Sequence, residues 1–521
     1  MRPLINEVET TATPDSLAGW LLAKASSGVV LLEGGGDFSQ ARYSLVTANP
    51  FMVFRSFGSR CEIVRNNPED QPLAGARGSA SHVQFGNPWQ ILDALMSRCE
   101  LLDELDLPFP LGGCFGFWGY DLKNFTEPKL PRRALNDLEL ADCHVGFYDS
   151  LVIFDHQLGK TCIVSTGLDA DGSRSANRAN KQSDFWKEVL GHSVRSPESG
   201  VHRREPIIRT SKFSARSHKA ETEYTNPGSS PFPCSAISNV TRVDFVRAVK
   251  RAQEFIRAGD IYQVNLSQRL TAPGAGSAWN FFRQLNDVSP APFAAYLDCG
   301  DFHVASTSPE QFLRLSGSHI VTRPIKGTRP RSADATRDAQ LAYELQTSAK
   351  EMAELIMITD LLRNDLGKVC DFGSVQVPEL ARLEKFAQVQ HLVSTVEGRL
   401  RRGVTHFAAL ASSFPGGSIT GAPKFRAMQI IDELEPVTRG PYCGCHGYLG
   451  FNRESQLSIT IRTAICGRDK IHFNVGAGIV ADSDPEAEYE ETLAKGEGFR
   501  RTVMQAYNDP VLGDQSIGKV D

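Results

Sequence analysis

Thr241-Arg-Val-Asp-Phe-Val-Arg-Ala-Val-Lys-Arg-Ala-Gln-Glu-Phe-Ile-Arg257 leads within a few residues into Ile261-Tyr-Gln-Val-Asn-Leu266, and across that one stretch the apolar period changes. Up to Arg257 apolar residues recur at helical spacing, and Gly259 marks the stop. From Ile261 they alternate as in a strand, which puts Gln263 and Asn265 on one face. Working outward, the same mixture continues. Val29-Val-Leu-Leu32 and Tyr43-Ser-Leu-Val46 flank the glycines Gly34-Gly-Gly36 and read as strand, loop, strand. Leu111-Gly-Gly-Cys-Phe-Gly-Phe-Trp-Gly-Tyr120 alternates glycine with aromatics, as a strand does when it passes close under bulky neighbours. Leu151-Val-Ile-Phe154 and Thr161-Cys-Ile-Val164 read as a hairpin. Strand-like runs combined with capped helices place the chain in the α+β class.

At 521 residues, the chain has room for two or three domains, and 41% hydrophobic with 22% charged residues is ordinary for a globular enzyme. Between residues 191 and 238 the composition shifts to serine, proline and charge, which reads as a mobile connection between a first domain at 1–190 and a second at 239–510. A net charge of −5 with both signs interspersed argues against nucleic-acid binding. Neither a signal-peptide-like N-terminus nor an 18-residue apolar run occurs, so no membrane contact and a cytoplasmic location are expected. The 11 cysteines are scattered, and Cys443, Cys445 and His446 lack a second cluster to complete a metal site, so they read as buried groups.

The chemistry is concentrated in Pro324-Ile-Lys-Gly-Thr-Arg-Pro-Arg331, which reads as a tight turn holding one lysine. Lys326 is either a solvated surface ammonium or a nucleophilic amine, and the second needs burial or a cationic neighbour such as Arg323, Arg329 or Arg331. Ser348 to Gly367 reads as a helix with Glu351 and Glu354 on one face, and Glu351 forms a capping box with Ser348. A second helix follows Ser483 or Asp484 and carries Glu488, Glu491 and Lys495 on one face. Alone, these carboxylates are a solvated acidic face or an ion pair from Glu491 to Lys495. Together, two pairs suit Mg²⁺, a hard cation that accepts one or two carboxylates. Phe414-Pro-Gly-Gly-Ser-Ile-Thr-Gly-Ala-Pro-Lys424 is a glycine-rich turn with amides for an anion, and without Walker spacing a carboxylate is the expected guest. Asn474-Val-Gly-Ala-Gly-Ile-Val480 is a second glycine segment, with Arg462 available for a bidentate carboxylate contact.

In this order the motifs resemble those of the chorismate-utilising enzymes. Gly259-Asp-Ile-Tyr-Gln-Val-Asn265, Ser306-Thr-Ser-Pro-Glu-Gln-Phe312, the lysine stretch, Ala353-Glu354 through Arg363-Asn-Asp-Leu-Gly367, His391-Leu-Val-Ser394, the Gly-Ala-Pro-Lys loop, Ser458-Ile-Thr-Ile-Arg-Thr463 and Gly476-Ala-Gly-Ile-Val-Ala-Asp-Ser483 carry the likeness. It spans about Val240 to Gln505. Leu31-Leu-Glu33 and Gly116-Phe-Trp-Gly-Tyr-Asp121 extend it more weakly over the first half. The resemblance implies an anthranilate-synthase-like fold: two α/β halves with antiparallel sheets packed face to face and helices outside.

It also implies roles. Glu354 and Glu491 would hold Mg²⁺ with Glu351 and Glu488 in support, Lys326 would be the nucleophile, and Glu310 the acid. Gln263, Gly327, Thr328, Ser418, Tyr442, Arg462, Gly476, Gly478 and Lys495 match substrate contacts. His391 matches a histidine tied to pyruvate elimination in some members. Water-adding members carry a lysine where this chain has Gln263, and anthranilate synthases usually read Pro-Ile-Ala-Gly-Thr where this chain has Lys326. The subgroup implied is therefore aminodeoxychorismate synthase component I, with anthranilate synthase component I as the alternative and a non-catalytic chorismate-binding protein as a remote one. The substrate would be chorismate, with ammonia from a separate glutamine amidotransferase subunit, since no stretch of suitable size remains for a glutaminase. Gly34 stands where aminating members often carry a serine that helps bind regulatory tryptophan, so tryptophan feedback is not expected.

Overall fold

The structure, a computed structural model, describes residues 2–35, 41–66, 80–101, 107–193, 236–274, 276–386 and 389–508. Two antiparallel sheets of 12 strands each dominate it. Both draw on the two halves of the sequence. In the first sheet Val30–Glu33 pairs with Phe293–Asp298, and in the second Gly113–Trp118 pairs with Cys445–Gly450. The hairpin expected at 151–164 is present as Ser150–Asp155 against Lys160–Ser165.

Strand alternation decides what each face meets. In the first sheet Val30, Leu45, Leu151 and Ile153 join the core shared with Phe54, Phe115, Val145 and Phe147 of the second sheet. Their neighbours Leu31, Val46 and Val152 point the other way, onto Leu17, Trp186, Phe281, Phe282 and Phe499 of four outer helices. One sheet face therefore packs on the other sheet, and its back is covered by Pro14–Ala23, Ala176–Ser193, Ala278–Val288 and Glu497–Asn508. Burying both faces explains why several strands lack a polar side.

The serine- and proline-rich connection expected at 191–238 starts inside the helix Ala176–Ser193 and ends in the strand Ile237–Ser238, which pairs with Gln263–Pro273. Its interior lies outside the described residues. Among the described residues no helix is long and apolar enough to cross a membrane. Cys443 and Cys445 are buried and free, and burial pushes the Cys443 thiol up to about 12.

Two of the sharp crossings between the sheets carry candidate site residues. His303–Ser308 belongs to the first sheet and Gln311–Ser316 to the second, so Glu310 sits at the corner between them. Glu454–Ile459 and Thr463–Cys466 make the reverse crossing, with Arg462 at its corner. The corners are tied to each other: the Ser308 hydroxyl donates to the Ile459 carbonyl at 2.6 Å, and the Thr307 amide to the Arg462 carbonyl at 3.0 Å.

Candidate active site

The lysine stretch is an extended strand rather than a tight turn. Ile325–Pro330 pairs with Val389–Arg399, and the register slips between Lys326 and Thr328. The proline and glycine signals mark a bulge and a strand end here, which the same residues favour as readily as a turn. Gly327, the extra residue, has φ of 65°, and a Cβ there would lie 2.6 Å from Leu345 Cδ1 and 3.1 Å from Glu351 Oε2. Gly327→Ala is expected to lower stability by about 1–3 kcal/mol through left-handed strain plus overlap, read by chemical denaturation. A change within ~0.3 kcal/mol would mean the bulge is not held as described.

The three arginines beside Lys326 do not supply a lone positive charge. Arg323 is paired with Glu384, Arg329 lies 3.4 Å from Glu351, and Arg331 lies 2.9 Å from Asp338. Lys326 itself is half-buried, and its charge pulls down the pKa of both Glu310 and Glu354. Glu310 is buried, and desolvation pushes its pKa up, while the hydroxyl of Ser418 and the charge of Lys326 pull the other way. On the adjacent strand His391 Nδ1 lies 3.2 Å from the Gly327 carbonyl and 3.0 Å from Thr328 Oγ1. A carbonyl can only accept, which assigns the proton to Nδ1, and burial lowers the pKa of the ring, favouring its neutral form.

The acidic helices form where their caps predict. Ser348 caps Ala349–Gly367 by accepting from the Glu351 amide at 3.4 Å, and Asp484 caps Pro485–Lys495 by accepting from the Ala487 amide at 2.8 Å. The side chain of Glu351 leaves the expected capping box for Arg329. Ser483 does not cap; its hydroxyl donates to Glu488 at 2.6 Å. Glu491 is held by Lys495 at 2.6 Å. Three of the four carboxylates thus have partners of their own, and among the described residues no three His, Cys, Asp or Glu side chains are grouped so that they could hold a metal ion. They still share a field. Burial raises the pKa of Glu354, and the charges of Glu351 and Glu488 add to it; burial likewise raises Glu488, with Glu491 adding. A hard divalent cation that takes one or two carboxylates and fills its remaining positions with substrate and water suits this excess of negative charge.

Opposite the lysine strand, Gln263–Pro273 runs beside Lys470–Ile479. A Cβ on Gly478 would lie 2.5 Å from Gln263 Nε2, and one on Gly476 would lie 2.8 Å from the Tyr442 hydroxyl and 3.2 Å from Asn265 Nδ2. These glycines keep a cradle open. Lys495 Nζ donates to the Gly476 carbonyl at 2.9 Å, and Arg462 donates to the Lys495 carbonyl at 2.9 Å. Arg462 has φ of 53°, a sparsely populated conformation for a side-chain-bearing residue, and burial lowers the pKa of its guanidinium, with Tyr442 and Glu491 acting the other way. Gln263 is 1% exposed, and its Oε1 has no hydrogen-bond partner. Leaving a buried acceptor unpaired costs about 1–3 kcal/mol, which a ligand donor would recover.

These contacts and charges link Lys326 to Glu310 and the acidic helices, and Arg462, Tyr442 and Lys495 to Gly476. In the glycine-rich turn the carbonyls are held by two cations. Lys424 donates to the carbonyls of Ser413 and Pro415, and Arg439 to that of Ile419. Neither cation stood out in the sequence, since a lysine after a helix-initiating proline and an i,i+4 Glu435–Arg439 pair look like surface features.

A family model described as chorismate binding enzyme matches residues 44–501. The chain is 37% identical over 478 residues to anthranilate synthase component 1 of Acetivibrio thermocellus, covering 91% of this chain and 89% of that one. It is 38% identical over 469 residues to aminodeoxychorismate synthase component 1 of Escherichia coli, covering 90% and 91%. The solved anthranilate synthase component I of Streptococcus pneumoniae superposes with a TM-score of 0.69 at 29% identity, over 90% of this chain and 94% of that one.

Proposed function

The chain belongs to the family of chorismate-binding enzymes, and from that premise we propose that it is a cytoplasmic aminodeoxychorismate synthase component I. It would aminate chorismate at C4 for 4-aminobenzoate and folate synthesis, using ammonia from a glutamine amidotransferase partner. The observation that carries this reading is Lys326, half-buried and acting by its charge on both Glu310 and Glu354.

The chemistry follows from the charges. The C4 hydroxyl of chorismate is a poor leaving group, so its departure needs a proton and a nucleophile together. Moving one proton from the Lys326 ammonium to the Glu310 carboxylate creates both. The free amine attacks C2, the ring double bonds shift, and the C4–O bond breaks as Glu310 delivers the proton and water leaves. Ammonia then adds at C4, the double bonds return, the C2–N bond to Lys326 breaks, and the proton shed by the new C4 ammonium returns to the Lys326 amine. The net change replaces OH by NH₂ with loss of water, and the enolpyruvyl ether is untouched. Gln263 Oε1, the orphaned acceptor, would take a hydrogen bond from ammonia, whereas a lysine there would activate water. Arg462 and Tyr442, with the cradle at Gly476 and Gly478, would bind a substrate carboxylate; Gly327, Thr328 and Lys495 border the same space. Glu354 and Glu491, with Glu351 and Glu488 in support, would hold Mg²⁺, whose charge would offset that of the ring carboxylate.

Product identification after incubation with chorismate, Mg²⁺ and an ammonium salt tests the reading. The expected product is converted to 4-aminobenzoate by added aminodeoxychorismate lyase. Anthranilate synthase component I is the second reading, favoured by relatives of that type at similar identity, and anthranilate as main product would establish it. For the metal, Glu354→Gln and Glu491→Gln are each expected to weaken Mg²⁺ binding by calorimetry about tenfold or more and to raise the Mg²⁺ needed for half-maximal activity in parallel. Unchanged Mg²⁺ affinity in both variants would remove the assignment.

A further inference from the structure

Carbonyls on both shoulders of one loop point at two buried cations. On the entry side, Lys424 Nζ donates to the carbonyls of Ser413 at 2.9 Å and Pro415 at 2.7 Å, and to Asp365 Oδ2 at 2.5 Å. On the exit side, the Arg439 guanidinium donates to the Ile419 carbonyl at 3.0 Å and to the Asn265 carbonyl at 2.7 Å, and Glu435 holds it at 2.9 Å and 2.6 Å. Between them the Thr420 hydroxyl donates back to the Gly416 carbonyl at 2.9 Å. The Lys424 and Arg439 side chains are only 11% and 1% exposed.

Buried ion pairs are poor devices for stability, since well-packed apolar residues often do as well or better. These two offer something an apolar pair cannot. Each cation has donors left over after its carboxylate is satisfied, and those donors fix named carbonyls of the loop. Within the clamped segment, next to Ile419, is Ser418, whose hydroxyl draws the pKa of buried Glu310 down against desolvation. Glu310 is faced by Ser418 from this loop, by Lys326 from the lysine strand and by the Cys443 thiol. Neither clamping cation hydrogen-bonds or ion-pairs with Glu310 itself. Their holds are on the loop carbonyls and, for Arg439, on the Asn265 carbonyl as well.

We propose that Lys424 and Arg439 are positioning residues for Glu310, two buried cations that pin the shoulders of the 413–420 loop so that the Ser418 hydroxyl is held against the acid. Arg439 has a second hold, because the Asn265 carbonyl it grips lies on the strand that carries Gln263. One guanidinium thereby fixes the loop relative to the orphaned acceptor. The inference rests on the reading of Glu310 as the proton donor.

Double-mutant cycles with Ser418→Ala test it, with kcat and KM for chorismate measured at saturating ammonium and folding checked by circular dichroism. Ser418→Ala, Lys424→Met and Arg439→Lys are each expected to lower kcat about tenfold or more while KM moves less than about threefold. When either clamp substitution is combined with Ser418→Ala, the further loss should stay under about threefold, because the clamp acts through a hydroxyl already removed. Losses that multiply, or a raised KM with kcat unchanged, would overturn the proposal. Arg439→Lys keeps the charge and a contact to Glu435, so its cycle decides alone if Lys424→Met does not fold. Glu310→Gln is run in parallel. Wild-type kcat in that variant removes the acid reading beneath the proposal, whereas a crippled Glu310→Gln with multiplying cycles removes the clamp alone.

Discussion

Lys326→Ala is expected to lower formation of 4-amino-4-deoxychorismate by about three orders of magnitude or more, which corresponds to ~4 kcal/mol of barrier. Alanine removes the only atom proposed to bond C2, so the C4 hydroxyl must leave without a nucleophile behind it. Substrate binding should suffer less. The expected contacts to chorismate come from Arg462, Tyr442 and the glycine cradle on the other side of the site, so KM should change by less than about tenfold. With the amine gone, ammonia has open access to C2, and residual aminated product should carry nitrogen there. Liquid chromatography separates the two products directly. Mass spectrometry of quenched wild-type protein is expected to find a chorismate-derived adduct on the peptide containing Lys326. Anthranilate as the main wild-type product, formed at an unchanged rate by Lys326→Ala, would replace this reading with the second one.

Local signals in the sequence carried their elements well. Ser348 caps the helix read from it, and Asp484, one of two candidates, caps the other, because a cap involves residues only two or three apart. The Gln263 strand was equally legible, since alternation is a property of the strand itself. What involved distant partners was not. The lysine stretch looked like a turn, because its pairing strand lies about 60 residues downstream and a bulge uses the same glycine as a turn. The three arginines beside Lys326 looked like cationic neighbours until Glu384, Glu351 and Asp338 claimed them. The carboxylates were correctly grouped by helix face, but helical spacing says nothing about the Arg329, Ser483 and Lys495 that engage them. Division of the chain into an N-terminal and a catalytic stretch is likewise a statement about sequence. In space both sheets are shared between them.

Glu310→Gln should also cost a large factor, about 10²–10⁴ in kcat, because the amide keeps the shape and a contact to Ser418 but cannot deliver a proton to the departing oxygen. The pH profile gives the sharper test. Burial raises the pKa of Glu310, opposed by the Ser418 hydroxyl and the Lys326 charge. An acid must be protonated to act, so the wild-type rate should fall as pH rises through the pKa of Glu310 in the complex. The same shift has a stability consequence with a definite sign. A carboxyl whose folded pKa lies above its unfolded value binds more protons in the folded state, so this contribution to stability shrinks as pH rises through the window between the two values. Lys326 couples to both effects. Its positive charge favours ionised Glu310, and transfer of its proton removes that pull just as the acid is needed. In Glu310→Gln the alkaline fall in kcat assigned to this carboxyl should vanish from the residual rate, and in Lys326→Ala the proton on Glu310 should be held to higher pH. The second shift can be followed without turnover, by infrared difference spectroscopy of the protonated carboxyl against Glu310→Gln. An alkaline limb that survives unchanged in Glu310→Gln would assign the proton to another group and leave Glu310 as a buried structural carboxyl.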